Sequence, residues 1–184
     1  MDSTNLIRRC QAGEAEAITD LIIQHEKRVY RLALSILDDA ESAGEVTQDV
    51  FFAAINGLDG YRGEAAFTTW LSGITINICR KRIRKRYARQ RLVKALQSIF
   101  QVKSASLPNL EDTSIKNETH AAVMAAINDL GEIHRLPILL YYYHDFSVNE
   151  IAQTLEIPEG TVLSRLYTAR ERLRLTIDEE LLSE

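Results

Sequence analysis

The hydrophobic positions of this chain recur with the 3.6-residue period of α-helices. A short helix around Leu6–Cys10 is predicted first, and a helix over Ala43–Asn56 is predicted to bury Val46, Val50 and Ala54. The longest series of hydrophobic positions lies between these two predicted helices and predicts a helix of about 24 residues. Its members are Ile18, Leu21, Ile22, His25, Val29, Leu32, Ala33 and Ile36. Because no alternating strand pattern competes and only three prolines occur, we predict an all-α fold.

A second row on the predicted helix Ala43–Asn56 is polar, with one aromatic residue in it. It consists of Glu45, Gln48, Asp49 and Phe52. These positions follow the i, i+3, i+4, i+7 spacing of one helix face. An exposed phenylalanine among acids indicates contact with a protein partner, although a half-buried Phe52 with solvating acids gives the same pattern.

Residues Ser147–Leu173 have the pattern of a helix-turn-helix. Ser147 and Glu150 have the spacing of a capping box at the start of the first helix. Pro158 suits the first turn of a second helix, and Gly160 allows the two helices to approach closely. The apolar residues of both helices are predicted to pack inward and are Val148, Ile151, Ala152, Leu155, Val162, Leu166, Ala169 and Leu173.

The outward face of the second helix carries hydroxyls and arginines. Its residues are Thr161, Ser164, Arg165, Thr168 and Arg172. A stripe of hydrogen-bond donors without acids suits the major groove of DNA. Two amphipathic helices joined by a Pro/Gly turn also occur as ordinary pieces of a helical core, so this pattern alone leaves both interpretations open.

The chain is predicted to form two helical domains joined by a flexible linker. Residues 1–95 form the first domain, whose last helix carries Ile74, Ile78 and Cys79 into a basic block. Residues 96–116 contain Ser, Pro, Asn and Asp without sustained periodicity, which is typical of a linker. Residues 117–184 form the second domain, with helices around Ala121–Leu130 and Ile133–Tyr143 before the helix-turn-helix.

Charge is distributed unevenly along the 184 residues. The net charge is −4, yet residues 80–94 contain nine Lys or Arg and no acid. The rest of the chain therefore has 13 basic against 26 acidic residues, a formal charge of −13. A basic block of this kind is the electrostatic signature of a nucleic-acid contact, or a solvated helix end.

Other functional classes find little support in the composition. The N-terminus lacks the apolar stretch of a signal peptide, and no apolar run approaches 18 residues, so we expect a cytoplasmic protein. Cys10 and Cys79 match no metal-ligand spacing and are expected to be reduced and packed. We expect no metal, cofactor or small-molecule substrate. A nucleic-acid enzyme is disfavoured because no acidic cluster for Mg²⁺ and no Walker-type motif occur.

Three segments in order resemble the extracytoplasmic-function (ECF) sigma factors of bacterial RNA polymerase, of the sigma-E type. AESAGEVTQDVFFAAINGLDGYRG resembles sigma region 2.1 to 2.2, and EAAFTTWLSGITINICRKRIRK resembles regions 2.3 to 2.4. HDFSVNEIAQTLEIPEGTVLSRLYTARERLR resembles region 4.2. The resemblance covers most of the chain and implies a non-enzymatic, two-domain subunit that binds core polymerase and promoter DNA.

For the first domain, the resemblance implies two binding surfaces. The core-polymerase surface, on the β′ subunit, maps to Glu45, Gln48, Asp49 and Phe52. The segment SAGE at 42–45 carries less acid than relatives do, which bears on the strength of this contact. The surface for the melted −10 element maps to Tyr61, Arg62, Phe67, Thr68, Thr69, Trp70, Asn77, Arg80, Lys81, Arg84 and Lys85. Aromatic stacking and basic phosphate contacts are the usual means of holding single-stranded bases. Thr68, Thr69 and Asn77 are expected to read base edges, whereas Trp70 is equally compatible with a structural role.

For the second domain, the resemblance implies reading of the −35 element as duplex DNA. The expected contacts are Thr161, Leu163, Ser164, Arg165, Tyr167, Thr168 and Arg172. Leu163 and Thr168 stand where many relatives have basic residues, so phosphate or guanine contacts expected there are missing. Arg165 is the strongest candidate for a base contact.

The resemblance further implies the β subunit of polymerase and an anti-sigma factor as partners, with a membrane involved only through the latter. The sequence leaves one alternative from another class. A stand-alone regulator could bind duplex DNA through the helix-turn-helix and dimerise through its N-terminal half, and it would recognise a palindrome without polymerase.

Overall fold

The computed structural model describes residues 3–100 and 123–182, with side chains placed at 5–91, 93 and 123–176. Throughout these residues the regular structure is helical and no strand occurs. They divide into two compact units: the first extends to Arg86 and also includes Gln153–Glu156, and the second begins at Tyr87 and contains the other C-terminal residues. The prediction of an all-α protein with two helical domains is confirmed.

Three helices, a short 3₁₀ turn and the part of a fourth helix up to Arg86 form the first unit. They are α1 (Ser3–Gln11), α2 (Ala15–Leu37), α3 (Ala40–Gly57), the turn Leu58–Gly60 and α4 (Phe67–Phe100). The predicted inner faces of α2 and α3 are buried against each other, with Leu32, Val46 and Val50 at most 2% exposed. Ile18, Ile22 and His25 lie at the edge of this core and are half-buried.

A tight joint between α2 and α3 permits this packing. Asp38 adopts a left-handed backbone with φ 53°, and its N–H donates to the Leu34 carbonyl at 2.8 Å. Asp39 then caps α3, because its carboxylate accepts a hydrogen bond from the Ser42 N–H at 3.1 Å. Hydrogen bonding from Ser42 is the main reason that the pKa of Asp39 is lowered.

Helix α4 runs for 34 residues, or about 50 Å at 1.5 Å per residue. It ends at Phe100, so residues 96–100, predicted to belong to the linker, are helical. The remaining predicted linker, 101–116, and the predicted start of the second domain, 117–122, lie outside the described residues. Cys79 is completely buried in the first half of α4, and burial raises its pKa to about 12.

The second unit contains a helical hairpin followed by the helix-turn-helix. Its elements are α5 (123–129), α6 (Gly131–Ile138) continuing into a π-helical turn (Leu139–Tyr143), α7 (Val148–Leu155) and α8 (Glu159–Leu182). The sequence predicted one regular helix through Tyr143. Instead, its last five residues widen into a π turn, which leaves the side chains of Tyr141, Tyr142 and Tyr143 exposed.

Candidate polymerase and promoter interfaces

Helix α3 presents the predicted polymerase-binding row on its solvent face. Val46, Val50 and Ala54 are fully buried on the opposite face, which fixes the rotation of the helix. The predicted row, Glu45, Gln48, Asp49 and Phe52, is therefore exposed along its length. Phe52 is 74% exposed, more than any other large hydrophobic residue in the described parts of the chain. The half-buried interpretation of Phe52 is therefore wrong.

One member of this row has an intramolecular partner that sequence reasoning missed. The carboxylate of Glu45 forms an ion pair with the guanidinium of Arg82 on α4. Arg86, one turn further along α4, contributes to the lowered pKa of Asp39 at the start of α3. The basic block therefore contains two kinds of residue. Arg82 and Arg86 interact with acidic side chains of α3 and its cap, whereas others are directed to solvent.

The loop before α4 is held by a cluster of aromatic rings. Ring centroids of Tyr61, Phe67 and Trp70 lie 5.2–5.5 Å apart, and His25 of α2 lies 5.3 Å from Phe67. Phe67 is only 6% exposed, so it belongs to the core. Tyr61 and Trp70 are half-buried, with one part of each ring still accessible. Their accessible parts are the aromatic surface that this cluster offers to an unstacked base.

Three side chains predicted to read base edges differ in accessibility. Asn77 is exposed and Thr68 is half-buried, but Thr69 is only 2% exposed. The Thr69 hydroxyl has no hydrogen-bond partner among the described residues. The expectation that Thr69 reads a base edge therefore needs correction, because its side chain is almost completely buried.

The basic part of α4 has its exposed cations where the sequence predicted them. Lys81, Arg84 and Lys85 are exposed, Arg80 is half-buried, and Arg62 in the preceding loop is exposed. Exposed lysine and arginine side chains on one helix can follow a phosphate backbone without dependence on base sequence.

The start and end of α7 are built by local hydrogen bonds. The Ser147 N–H donates to Glu150 Oε2 at 2.9 Å, and the Glu150 N–H donates to Ser147 Oγ at 3.2 Å, which confirms the predicted capping box. At the other end Glu156 is left-handed with φ 55°, and Ile157 donates its N–H to the Ala152 carbonyl. These bonds form a Schellman motif that ends α7.

Helix α8 begins next to Pro158, whose carbonyl accepts hydrogen bonds from Thr161 and Val162. Val162, Leu166 and Ala169 are at most 2% exposed, which confirms the predicted inner face at these three positions, whereas Leu173 is half-buried. Because the orientation of α8 follows from this burial, the opposite face is directed to solvent. The sequence pattern predicted both helices and the turn between them.

The outward stripe of α8 is less rich in free donors than the sequence suggested. Ser164 Oγ donates to the Thr161 carbonyl, and Thr168 Oγ1 donates to the Ser164 carbonyl, each at 3.0 Å. Because these two hydroxyl protons are donated to backbone carbonyls, they are not available to DNA. The guanidinium groups of Arg165 and Arg172 remain as donors on this face of α8. Leu163 and Tyr167 are 52% and 65% exposed and give the stripe an apolar part.

Comparison with known proteins gives a consistent result for both units. The family model described as Sigma-70 region 2 matches residues 21–89, and that described as Sigma-70, region 4 matches residues 120–173. The RNA polymerase sigma-H factor of Pseudomonas aeruginosa is 30% identical over 173 residues, covering 91% of this chain and 90% of that protein. The ECF sigma factor SigW of Bacillus subtilis is 29% identical over 175 residues, covering 91% and 92%.

The chain belongs to the ECF sigma factors. Members of this family bind core RNA polymerase and direct it to promoters, so the protein is a transcription initiation factor and not an enzyme. The ECF sigma-E factor of Escherichia coli is 30% identical over 173 residues, covering 91% of this chain and 90% of that protein. Membership decides between the two classes that the sequence left open, in favour of the promoter-specificity factor.

Solved structures share the fold of this sigma factor. A structure of CnrH in complex with the cytosolic domain of CnrY has a TM-score of 0.68 at 22% identity, covering 95% of this chain and 96% of that one. The sigma factor RpoE in complex with the anti-sigma factor NepR from Bartonella quintana has a TM-score of 0.65 at 22% identity, covering 87% and 96%.

The second unit of this sigma factor also carries an apolar groove that sequence reasoning missed. The groove has a volume of about 500 Å³ between α5, α6 and α8. Its walls are Val123, Ile127, Ile138, Tyr142, Tyr143 and Leu173, with Arg170 and Arg174 beside them. The sequence feature that indicates this groove is the run of three tyrosines, Tyr141–Tyr143, because a regular amphipathic helix does not place three large rings in a row on its buried face.

Two further classes of site are not found in the described parts of this sigma factor. Among residues 3–100 and 123–182, no group of three His, Cys, Asp or Glu side chains is arranged to hold a metal ion. Within the same ranges, no helix has the length and apolar character needed to cross a membrane.

Proposed function

We propose that α3 is the polymerase-binding helix of the first unit and that it docks on the β′ subunit through Glu45, Gln48, Asp49 and Phe52. The exposure of Phe52, 74% in a row that is otherwise polar, is the observation that carries this proposal. Exposed aromatic residues surrounded by polar groups are typical binding hot spots. The apolar groove of the second unit provides a surface for a second polymerase contact, with the β subunit.

The promoter is recognised by the two units separately. The half-buried rings of Tyr61 and Trp70, with Thr68, Asn77 and the exposed cations of α4, bind the opened strand of the −10 element. Arg165, Arg172 and the neighbouring residues of α8 bind the −35 element as duplex. Arginine can form two parallel hydrogen bonds to guanine in the major groove, which makes Arg165 the principal specificity residue.

The protein works in the cytoplasm, where promoters and core polymerase are found, and it is restrained there by an anti-sigma factor. The support for this restraint is the fold shared with the sigma factor RpoE, which was solved with the anti-sigma factor NepR. Phe52 and the apolar groove are surfaces that such a partner can cover when polymerase is absent.

Reconstitution with core enzyme tests the proposed function. Run-off transcription from a promoter library, followed by sequencing of the transcripts, is expected to return templates with shared −10 and −35 elements. Phe52→Ala is expected to abolish this activity through lost core binding, whereas Arg165→Ala is expected to retain core binding. Specific binding of a palindromic duplex by the chain alone would support the stand-alone regulator instead.

A further inference from the structure

Two large apolar side chains lie together on the exposed side of α8. Leu163 and Tyr167 are both more than half exposed. They are four residues apart in one helix, so they lie on successive turns of one face, with their Cβ atoms about 5–6 Å from each other. The buried residues Val162, Leu166 and Ala169 fix the rotation of the helix and keep both side chains out of the core. Leu163 and Tyr167 form the apolar pair of α8.

The apolar pair lies in the part of α8 that a helix-turn-helix presents to DNA. Helix α8 begins at Glu159, so Leu163 is its fifth residue and Tyr167 its ninth. The N-terminal residues of a recognition helix are those that contact base edges in the major groove. Single exposed apolar residues are common on protein surfaces, but two neighbouring ones on a DNA-binding face indicate an apolar contact with the DNA.

The polar side chains next to the apolar pair do not supply a hydrogen-bond donor in its place. Ser164 and Thr168 each follow one member of the pair in the sequence, and their hydroxyls donate to the carbonyls of Thr161 and Ser164. Each of these hydroxyl oxygens therefore offers a base only an acceptor. Leu163 itself has no polar atom in its side chain, so a base opposite it can be recognised only through apolar contact.

Thymine is the base that presents a matching apolar group. In the major groove guanine, adenine and cytosine present hydrogen-bond donors and acceptors, whereas thymine presents a 5-methyl group beside its O4 acceptor. Contact between this methyl group and an aliphatic side chain removes apolar surface of both from water, which is favourable. A polar base edge opposite Leu163 would lose its hydrogen bonds to water without replacement. The apolar pair therefore favours thymine over the other three bases.

We propose that the apolar pair of α8 contacts the 5-methyl group of a thymine in the −35 element, with Leu163 as the specificity-determining residue and the ring of Tyr167 beside it. The inference rests on the proposed function and extends it by naming the base and the group on it that is recognised. It concerns a position at which this chain differs from many relatives, which have a basic residue there. A basic side chain binds guanine or phosphate, so the thymine preference is expected to distinguish this chain from those relatives.

The experiment changes the methyl group alone. Holoenzyme is bound to duplexes of the promoter that run-off sequencing identifies, and each thymine of the −35 element, on either strand, is replaced in turn by deoxyuridine. Deoxyuridine pairs with adenine as thymine does and lacks only the 5-methyl group. Competition binding measures the affinity for each duplex. At one thymine the replacement is expected to weaken binding by roughly fourfold, which corresponds to the burial of about one aliphatic carbon.

Variants of the apolar pair assign this methyl effect to its source. Leu163→Ala is expected to bind the thymine and deoxyuridine duplexes equally at that position, and Leu163→Met, which keeps an aliphatic side chain, is expected to retain most of the effect. Tyr167→Ala is expected to reduce the effect, whereas Tyr167→Phe is expected to keep it, because the ring and not the hydroxyl forms the contact. Leu175→Ala is the matched control and is expected to leave the effect unaltered, since Leu175 is 57% exposed and lies more than three turns beyond Leu163 on α8.

Two results overturn the inference. One is a −35 element in which no thymine occurs or no deoxyuridine replacement changes the affinity, and the other is a methyl effect of the same size in Leu163→Ala and in the wild-type protein. Leu163 is exposed, so its replacement is not expected to prevent folding, and urea unfolding checks this. If wild-type holoenzyme gives no promoter-dependent transcripts, the proposed function fails. If transcripts form but the methyl effect is absent or independent of Leu163, this inference alone fails.

Discussion

The carboxylate of Glu45 on α3 is paired with the guanidinium of Arg82 on α4. This contact joins the proposed polymerase-binding row to the basic helix. Both side chains are partly exposed, at 54% for Glu45 and 35% for Arg82, so solvent screens their attraction. The pair is therefore suited to exchange, since either partner can form a new contact in the holoenzyme at modest cost.

We expect the coupling energy between Glu45 and Arg82 to be no more than about 1 kcal/mol. A double-mutant cycle of Glu45→Gln, Arg82→Gln and the double variant, followed by urea unfolding, measures it. The coupling is expected to decrease with added salt. A coupling that is larger than about 2 kcal/mol, or insensitive to salt, would show that the pair is a rigid structural element.

Replacement of Phe52 by alanine is expected to affect binding and not stability. Because the ring is largely exposed, the free energy of unfolding should change by less than about 0.5 kcal/mol. Affinity for core polymerase should fall by at least about 2 kcal/mol, the usual loss at a hot spot. Ile23→Ala is the matched control, since Ile23 on α2 is 69% exposed and lies outside the row. Equal loss of core affinity in both variants would refute the assignment.

Thr69 and Thr75 provide a matched pair of buried hydroxyls. The Thr69 hydroxyl is unsatisfied within the described chain, whereas Thr75 Oγ1 donates to the Leu71 carbonyl at 2.8 Å. Thr69→Val is therefore expected to raise the free energy of unfolding by about 1 kcal/mol, and Thr75→Val is expected to lower it by a similar amount. Urea unfolding measures both values. A destabilised Thr69→Val variant would indicate that the hydroxyl is satisfied in solution.

Arg165 is expected to determine −35 preference in holoenzyme. Arg165→Ala should lose about 1–3 kcal/mol of discrimination at one base pair of the −35 element. Arg165→Lys keeps the charge but not the forked geometry, so it should lose a similar amount of discrimination while retaining more of the overall affinity. Competition binding with single-base variants of the −35 duplex measures both quantities. Full discrimination in Arg165→Lys would argue that the residue binds only phosphate.

The environment of His25 predicts a dependence of stability on pH. Burial, assisted by Arg28, lowers the pKa of His25 in the folded protein, so the unfolded chain takes up its proton at a higher pH. The contribution of neutral His25 is therefore complete above the ordinary value of 6.5 and decreases as the pH falls below it. Urea unfolding between pH 8 and 5.5 measures this slope. His25→Gln should have a smaller slope, and an equal slope in the variant would exclude His25 as its source.

Local patterns were sufficient to predict most of the helices. The capping box of Ser147 and Glu150 and the burial of Val162 and Leu166 depend on residues three or four positions apart, and both were predicted correctly. The extension of α4 from residue 96 to Phe100 was missed although Leu92, Leu96 and Ile99 have helical i, i+4, i+7 spacing, because residues 96–100 directly precede a stretch rich in Ser, Pro, Asn and Asp and were assigned with it to the linker.

The candidate sites were less accessible to sequence reasoning. The burial of Thr69 depends on which side of α4 packs inward, and a stretch with apolar residues on several sides leaves that undetermined. The pairing of Glu45 with Arg82 joins residues 37 positions apart. These features follow from tertiary packing, which single-sequence periodicity does not encode.

The exposed segment of α4, residues 84–91, is expected to affect how fast the protein is degraded when no partner is bound to it. Every side chain from residue 84 to residue 91 is exposed, and five of these eight residues are arginine or lysine. A helical segment supported by few packed side chains opens locally at a smaller cost than global unfolding, and an opened basic segment is readily cut by proteases. A partner that covers this segment protects it. We therefore expect molecules without promoter or polymerase to be cleaved in this segment sooner than molecules whose segment is covered.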